Sequence, residues 1–207
     1  MSGVHPALAA AGGYALGSVS FALLFARARG VDLRQVGSGN LGATNASRAL
    51  GRKTGVLIYV LDALKGFVPA GGLLWATGDP AVAAAAGAGA VAGHLWPLWH
   101  GFRGGKGVAT LSGALIALAP LAAVAAGAAL AATILVTRMI SAGSIVFGVV
   151  LGPAAWVTGA PRPVFLLAAL GGLALVFTHR ANIARIRAGR ESRIGEKRAA
   201  SGPPEAR

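Results

Sequence analysis

GVATLSGALIALAPLAAVAAGAALAATILVT, residues 107–137, contains no Asp, Glu, Lys or Arg over 31 positions. A soluble helix of that length would show a charged face every turn or two. A membrane helix needs roughly 20 mostly apolar residues to cross a hydrocarbon core of about 30 Å. Only helices and closed barrels satisfy their backbone there. The Leu- and Ala-rich run has no period-two alternation, so it reads as helix. It is too long for one: a single helix would reach about 46 Å at 1.5 Å per residue, which only steep tilt would accommodate. Pro120 supplies the break, because a proline ring kinks or ends a helix interior. The piece at about 107–119 is then only about 20 Å long. It is either re-entrant or crosses where the protein is thin.

The same pattern extends outward in both directions. No charge precedes Arg27, and residues 80–102, 139–161 and 163–179 are free of Asp, Glu, Lys and Arg. Spans are expected at about 4–26, 54–77, 80–100, 107–119, 120–137, 143–159 and 163–180. The fold class is an all-α membrane protein, a polytopic bundle of seven transmembrane helices in one domain, residues 1–192. Residues 193–207 read as a polar basic tail, expected to be disordered. The first run has no basic segment before it and leads straight into Arg27 and Arg29, as a retained helix does rather than a cleaved signal.

Charge is sparse and lopsided, with 19 basic and 6 acidic residues in 207 and a net charge of +13. With 55% hydrophobic residues, intrinsic disorder is excluded. With seven spans and the N-terminus outside, the cytoplasmic segments hold Arg27, Arg29, Arg34, Arg48, Arg52, Lys53, Arg103, Lys106, Arg138 and every basic residue from Arg180 onward. Six spans would put the basic tail and the first basic loop on opposite sides. The positive-inside rule therefore favours seven, with the C-terminus in the cytoplasm. The basic excess marks orientation and contact with anionic lipid, not a nucleic-acid partner. No cysteine is present, which excludes disulfides and thiolate chemistry.

Three polar clusters fall on this cytoplasmic face: GSGNLGATNASR at 37–48, FRGGKGVAT at 102–110 and HRANIARIRAGRE at 179–191. Glycine-dense loops let backbone N–H groups approach an anion, and a helix N-terminus adds a positive dipole end. Gly37, Gly39 and Gly42, with Ser38, Asn40 and Thr44 among them, fit such a cradle. So do Gly104, Gly105 and Gly107, which place the Lys106 ammonium beside a helix start. Either loop alone could be a tight inter-helix turn; the two together with Arg48 and Lys106 favour an anion site. His179 and Asn182, three apart, share a helix face. The histidine is either a proton acceptor or a packed helix-end residue. His5 and His100 read as packing residues, and His94, in G-H-x-x-P, is an intermediate case between packing and function. Asp62 and Lys65, inside the second span at i and i+3, either pair with one another or serve a substrate. The turn from Ser141 to Ser144 either caps a helix or aims a hydroxyl into the site. Three Asp and three Glu make a carboxylate-held metal improbable, and no HExxH motif occurs.

VGSGNLGATNASR at 36–48, LDALKG at 61–66, GHLWPLWHGFRGGKGVAT at 93–110 and HRANIARIRAGRE at 179–191 together resemble the PlsY family of bacterial acyl-phosphate:glycerol-3-phosphate acyltransferases. The resemblance covers essentially residues 10–191. It implies a multi-pass enzyme of the bacterial plasma (inner) membrane with its active site facing the cytoplasm. That enzyme would move a fatty acyl group from acyl phosphate to the sn-1 hydroxyl of glycerol 3-phosphate, giving lysophosphatidic acid for phospholipid biosynthesis. It implies no cofactor and no metal. Ser38 and Arg48 would be essential, and Gly104, Gly105, Lys106 and Gly107 would bind glycerol 3-phosphate. His179 and Asn182 would act in the site, Asn45 and Ser144 would add contacts, and Glu191 would be structural. The alternative reading is a membrane transporter of a phosphorylated solute. Polar motifs gathered on one face, with no inverted repeat, argue against it.

Overall fold

The structure, a computed structural model, describes residues 3–196 of the chain. Helices α1 (Pro6–Gly17), α2 (Phe21–Arg27), α3 (Ala43–Leu50), α4 (Arg52–Thr77) and α5 (Pro80–Leu95) form the first half. A 3₁₀ turn at Leu98–His100 leads to α6 (Val108–Leu118), α7 (Pro120–Thr137), α8 (Ile140–Val157), α9 (Arg162–Thr178) and α10 (Arg180–Arg187). No strand occurs among the described residues.

Five segments are long and apolar enough to cross a membrane: Pro6–Arg27, Arg52–Thr77, Pro80–His100, Pro120–Thr137 and Ile140–Val157. The pair α9 and α10, bent by 54°, adds a sixth where the two are taken together as one broken span. Helix α6 is the short piece expected before Pro120, and its 11 residues span about 17 Å. Pro120 stands at the first position of α7, where its missing N–H costs nothing.

The protein is small inside and large outside. Helix α5, PAVAAAAGAGAVAGHL, is the centre of the bundle, with α1, α4, α6 and α9 packed on it. Glycines let these helices touch backbone to backbone. A Cβ at Gly89 would overlap the Ala10 carbonyl, one at Gly17 the Ala90 carbonyl, and one at Gly113 the Ala63 carbonyl. The large apolar side chains face outward instead: Trp75 is 90% exposed, Val136 84% and Val157 83%. In water such a surface would aggregate; in lipid it is the solvent-facing side.

The first apolar run differs from a continuous helix. It breaks between Gly17 and Phe21, where Ser18 caps α1 and Ser20 caps α2. The break frees the Val19 carbonyl, which accepts a hydrogen bond from Lys65 Nζ at 2.8 Å. At the other end of the chain, Arg138 and Ile194 exchange bonds, the Ile194 N–H donating to the Arg138 carbonyl at 2.7 Å. Residues 197–207, most of the expected tail, lie outside the described residues.

Candidate active site

The three polar clusters meet at one end of the bundle. Lys106, just before α6, donates from Nζ to Asn182 Oδ1 on α10. The Asn182 amide donates in turn to Glu191 Oε1 at 2.7 Å. The same oxygen accepts from Ser141 Oγ on α8 at 2.8 Å, and Oε2 accepts from Arg185 Nε at 2.6 Å. Glu191 thus ties α8 to α10 and turns the Asn182 carbonyl oxygen toward Lys106. Burial alone would raise the Glu191 carboxyl; the bonds from Ser141, Arg185 and Asn182 outweigh it and hold it below the usual range.

Lys106 is half-buried. Burial, and next the Arg185 charge, push its ammonium down to about 8; Glu191 opposes this and Arg48 adds to it. The influence of Arg48 brings the first cluster to the other two. Thr178 Oγ1 clamps the loop from the other side, donating to the Lys106 carbonyl at 3.2 Å. His179 follows at the bend between α9 and α10. Its Nδ1 lies 2.8 Å from the Leu175 carbonyl, which can only accept, so Nδ1 carries the proton and Nε2 keeps its lone pair.

The glycine loops are less free than their composition suggests. The N–H groups of Gly104 and Gly105 donate to the carbonyls of Leu95 and His94, both at 3.1 Å. The N–H of Ser38 is held by Asn45 Oδ1 and that of Gly39 by the Val36 carbonyl, both at 3.0 Å. The N–H groups left without an acceptor among the described residues open the helices instead, at Gly42–Thr44 and at Lys106–Thr110. Gly107 has φ +90°, a left-handed conformation that favours glycine.

Each residue singled out in the sequence now has a place. Lys106, His179 and Asn182 form one cluster, with Arg48 near it. Gly37, Ser38, Gly39, Asn40, Gly42 and Thr44 shape the loop leading into α3, where Ser38, Thr44 and Arg48 are exposed. Asn45 is buried, and its amide is engaged within that loop, donating to the Leu33 and Val36 carbonyls. Ser144 is buried on α8 and donates to the Ile140 carbonyl one turn back. Its neighbour Ser141, not Ser144, reaches Glu191. Sequence reading left open whether the Ser141–Ser144 turn caps a helix or enters the site, and gave Arg185 no role here, since nothing local marks the approach of Glu191. A cavity of about 460 Å³ is lined by Arg27, Arg34, Trp99, His100, Gly101 and Arg103, none of them a predicted site residue. Among the described residues, no group of three His, Asp or Glu side chains comes together as metal ligands would.

Comparison with known proteins gives a consistent result. The family model described as glycerol-3-phosphate acyltransferase matches residues 7–189. A curated glycerol-3-phosphate acyltransferase from Aquifex aeolicus is 42% identical over 182 residues, covering 87% of this chain and 95% of the relative. Another, from Synechococcus, is 43% identical over 195 residues, covering 94% and 96%. A crystal structure of PlsY, an integral membrane glycerol 3-phosphate acyltransferase, in its glycerol 3-phosphate form superposes with a TM-score of 0.88 at 41% identity. It covers 92% of this chain and 96% of its own. The lysophosphatidic acid form superposes with a TM-score of 0.85 at 39% identity, covering 92% and 95%.

Proposed function

The chain belongs to the glycerol-3-phosphate acyltransferase family, and from that premise we propose how its residues carry out the transfer. It is an integral membrane acyltransferase that acylates glycerol 3-phosphate. The product is lysophosphatidic acid, the molecule held in the second PlsY form. The donor is an acyl phosphate, already activated, so the enzyme needs no covalent intermediate. The observation that carries the reading is the Lys106–Asn182–Glu191 chain, which ties two polar clusters into one cationic site.

Glycerol 3-phosphate binds with its phosphate against the Lys106 ammonium, the Arg48 guanidinium and the free N–H groups that open α6. A helix start suits an anion because its N–H groups are unpaired. The Gly104–Gly107 loop serves this by shape, keeping the backbone close. The cradle from Gly37 to Thr44, with Ser38 at its surface, holds the phosphate of the donor. The sn-1 hydroxyl oxygen attacks the acyl carbonyl carbon, and the bond from that carbon to the bridging phosphate oxygen breaks. Cationic groups stabilise charge on the carbonyl oxygen and the leaving phosphate. The hydroxyl proton passes to a phosphate oxygen. His179 Nε2, with its lone pair free, accepts a hydrogen bond from the hydroxyl and orients it. No carboxylate backs His179 Nδ1, so the ring is a weak base and positioning carries much of the rate.

The site faces the cytoplasm of a bacterial plasma membrane, with seven crossings and α6 the short one. That arrangement places most of the basic residues inside. The three guanidiniums of Arg27, Arg34 and Arg103 around their cavity add a positive field that draws anionic substrates to that end. The test is turnover by purified protein with palmitoyl phosphate and glycerol 3-phosphate. Lysophosphatidic acid is expected; its absence from folded protein would overturn the reading. Palmitoyl phosphate replaced by palmitoyl-CoA is expected to give none.

A further inference from the structure

Helix α4 buries two opposite charges that the mechanism above does not use. Asp62 is 2% exposed and Lys65 3%. Lys65 Nζ stands 3.0 Å from Asp62 Oδ1, an ion pair without a well-directed hydrogen bond to that oxygen. Removing charges from water is costly, and an apolar pair of similar volume often packs as well or better. The pair therefore calls for a task besides packing. Its contacts run in two directions. On one side, Lys65 satisfies the Val19 carbonyl freed by the break between α1 and α2, with the Phe21 ring centre 5.9 Å away. On the other, Asp62 Oδ1 lies 3.8 Å from His94 Nδ1 on α5.

His94 is the link to the site. Its ring occupies the space a Cβ would take at Gly105, where Nε2 would overlap it. Its carbonyl accepts the Gly105 N–H at 3.1 Å, and the next carbonyl, of Leu95, accepts that of Gly104. The loop therefore rests on His94 through both main chain and ring, one residue before Lys106. Gly105 does not have a positive φ. What excludes a side chain there is the imidazole.

We propose that Asp62 and Lys65 hold the His94 ring as a buried stop beneath Gly105, and that this stop sets where Lys106 meets glycerol 3-phosphate. All three are positioning residues. The proposal rests on the reading of Lys106 as a phosphate holder. Asp62 fixes the ring by facing Nδ1, Lys65 fixes Asp62, and the ring fixes the height of the loop. A displacement of about 1 Å in such a contact can cost up to about a hundredfold in rate. The signature is selective: the loop serves glycerol 3-phosphate, so its KM moves while that of palmitoyl phosphate does not.

The experiment measures both KM values, kcat and thermal unfolding in detergent for Gly105→Ala, His94→Ala, their double variant, His94→Asn and Lys106→Ala. Gly105→Ala is expected to raise the KM for glycerol 3-phosphate about tenfold or more and to leave that for palmitoyl phosphate within twofold. The double variant is expected to lose less than the product of the two single losses, because without the ring the methyl group at Gly105 meets no clash while the loss of the stop remains. Full additivity of the two single losses in the double variant would overturn the proposal. If Gly105→Ala does not fold, His94→Asn decides. It shortens the ring while Asp62 and Lys65 stay paired, and an unchanged KM for glycerol 3-phosphate would overturn the proposal. Lys106→Ala separates the two levels. If it leaves that KM unchanged, the phosphate-holding role fails and the proposal with it. If it raises that KM while His94→Asn does not, only the positioning role fails.

Discussion

In the loop before α3 one side chain makes most of the holding bonds; in the loop before α6 the main chain makes most of them. Asn45 donates to two carbonyls, of Leu33 and Val36, and accepts from the Ser38 N–H. No other residue type offers two donors and an acceptor in that space. In the second loop, Gly104 and Gly105 bond straight to the end of α5, and His94 fills the gap beneath. The first loop uses glycine for positive φ, at Gly37 and Gly39. The second uses it chiefly for close approach. Two stretches of similar composition thus depend on different chemistry, and substitution separates them.

The largest expected effect is Lys106→Ala. It removes the ammonium that the second loop exists to place, and turnover should fall about 10²–10³-fold at saturating donor. Retained turnover would remove Lys106 from the site. Asn45→Ala comes next. It removes three of the first loop's bonds and leaves the Leu33 carbonyl without its donor and the Ser38 N–H without its acceptor, while Gly39 still donates to the Val36 carbonyl, at a cost of about 1–3 kcal/mol read by thermal unfolding. Gly105→Ala, by contrast, should change that midpoint less than it changes KM. Gly107→Ala forces a side chain into a left-handed backbone at φ +90°, costing about 1–2 kcal/mol. The smallest effect is with pH. Lys106 holds phosphate as an ammonium, and its affinity for the proton is depressed, to about 8. Raising the pH through 8 therefore removes the charge, and kcat/KM for glycerol 3-phosphate should fall about fourfold by pH 8.5. Bound phosphate favours the ammonium, so kcat should hold to higher pH than kcat/KM. A flat profile across this range would contradict the role of Lys106.

The helices were largely legible in the sequence. Uncharged runs set where they lie, and Pro120 divided the longest of them. The break at Ser18–Ser20 was not, because the group that satisfies the freed carbonyl, Lys65, stands 46 residues away. Within the site, Lys106, His179 and Asn182 stood out as polar groups at the ends of apolar runs. Their linkage did not. Ser141 and Ser144 lie on one helix, and only the approach of Glu191 distinguishes them. His94 reads as an intermediate case between packing and function when only its chain neighbours are visible. Its value comes from what sits above and below it, a loop glycine and a buried carboxylate from another helix.

Composition and charge placement determined that this chain lives in a membrane and that its polar chemistry gathers at helix ends. Those properties follow from hydration and length alone: uncharged segments of about 20 residues leave water, and charged ones stay near it. The pairing of the motifs needed the tertiary structure. Whether a glycine supplies a free N–H, a left-handed turn or room for a neighbour depends on atoms brought from distant positions. Gly105 shows the reason. Its lack of a side chain is visible in one letter, but the imidazole that requires it arrives from α5 only when the helices pack.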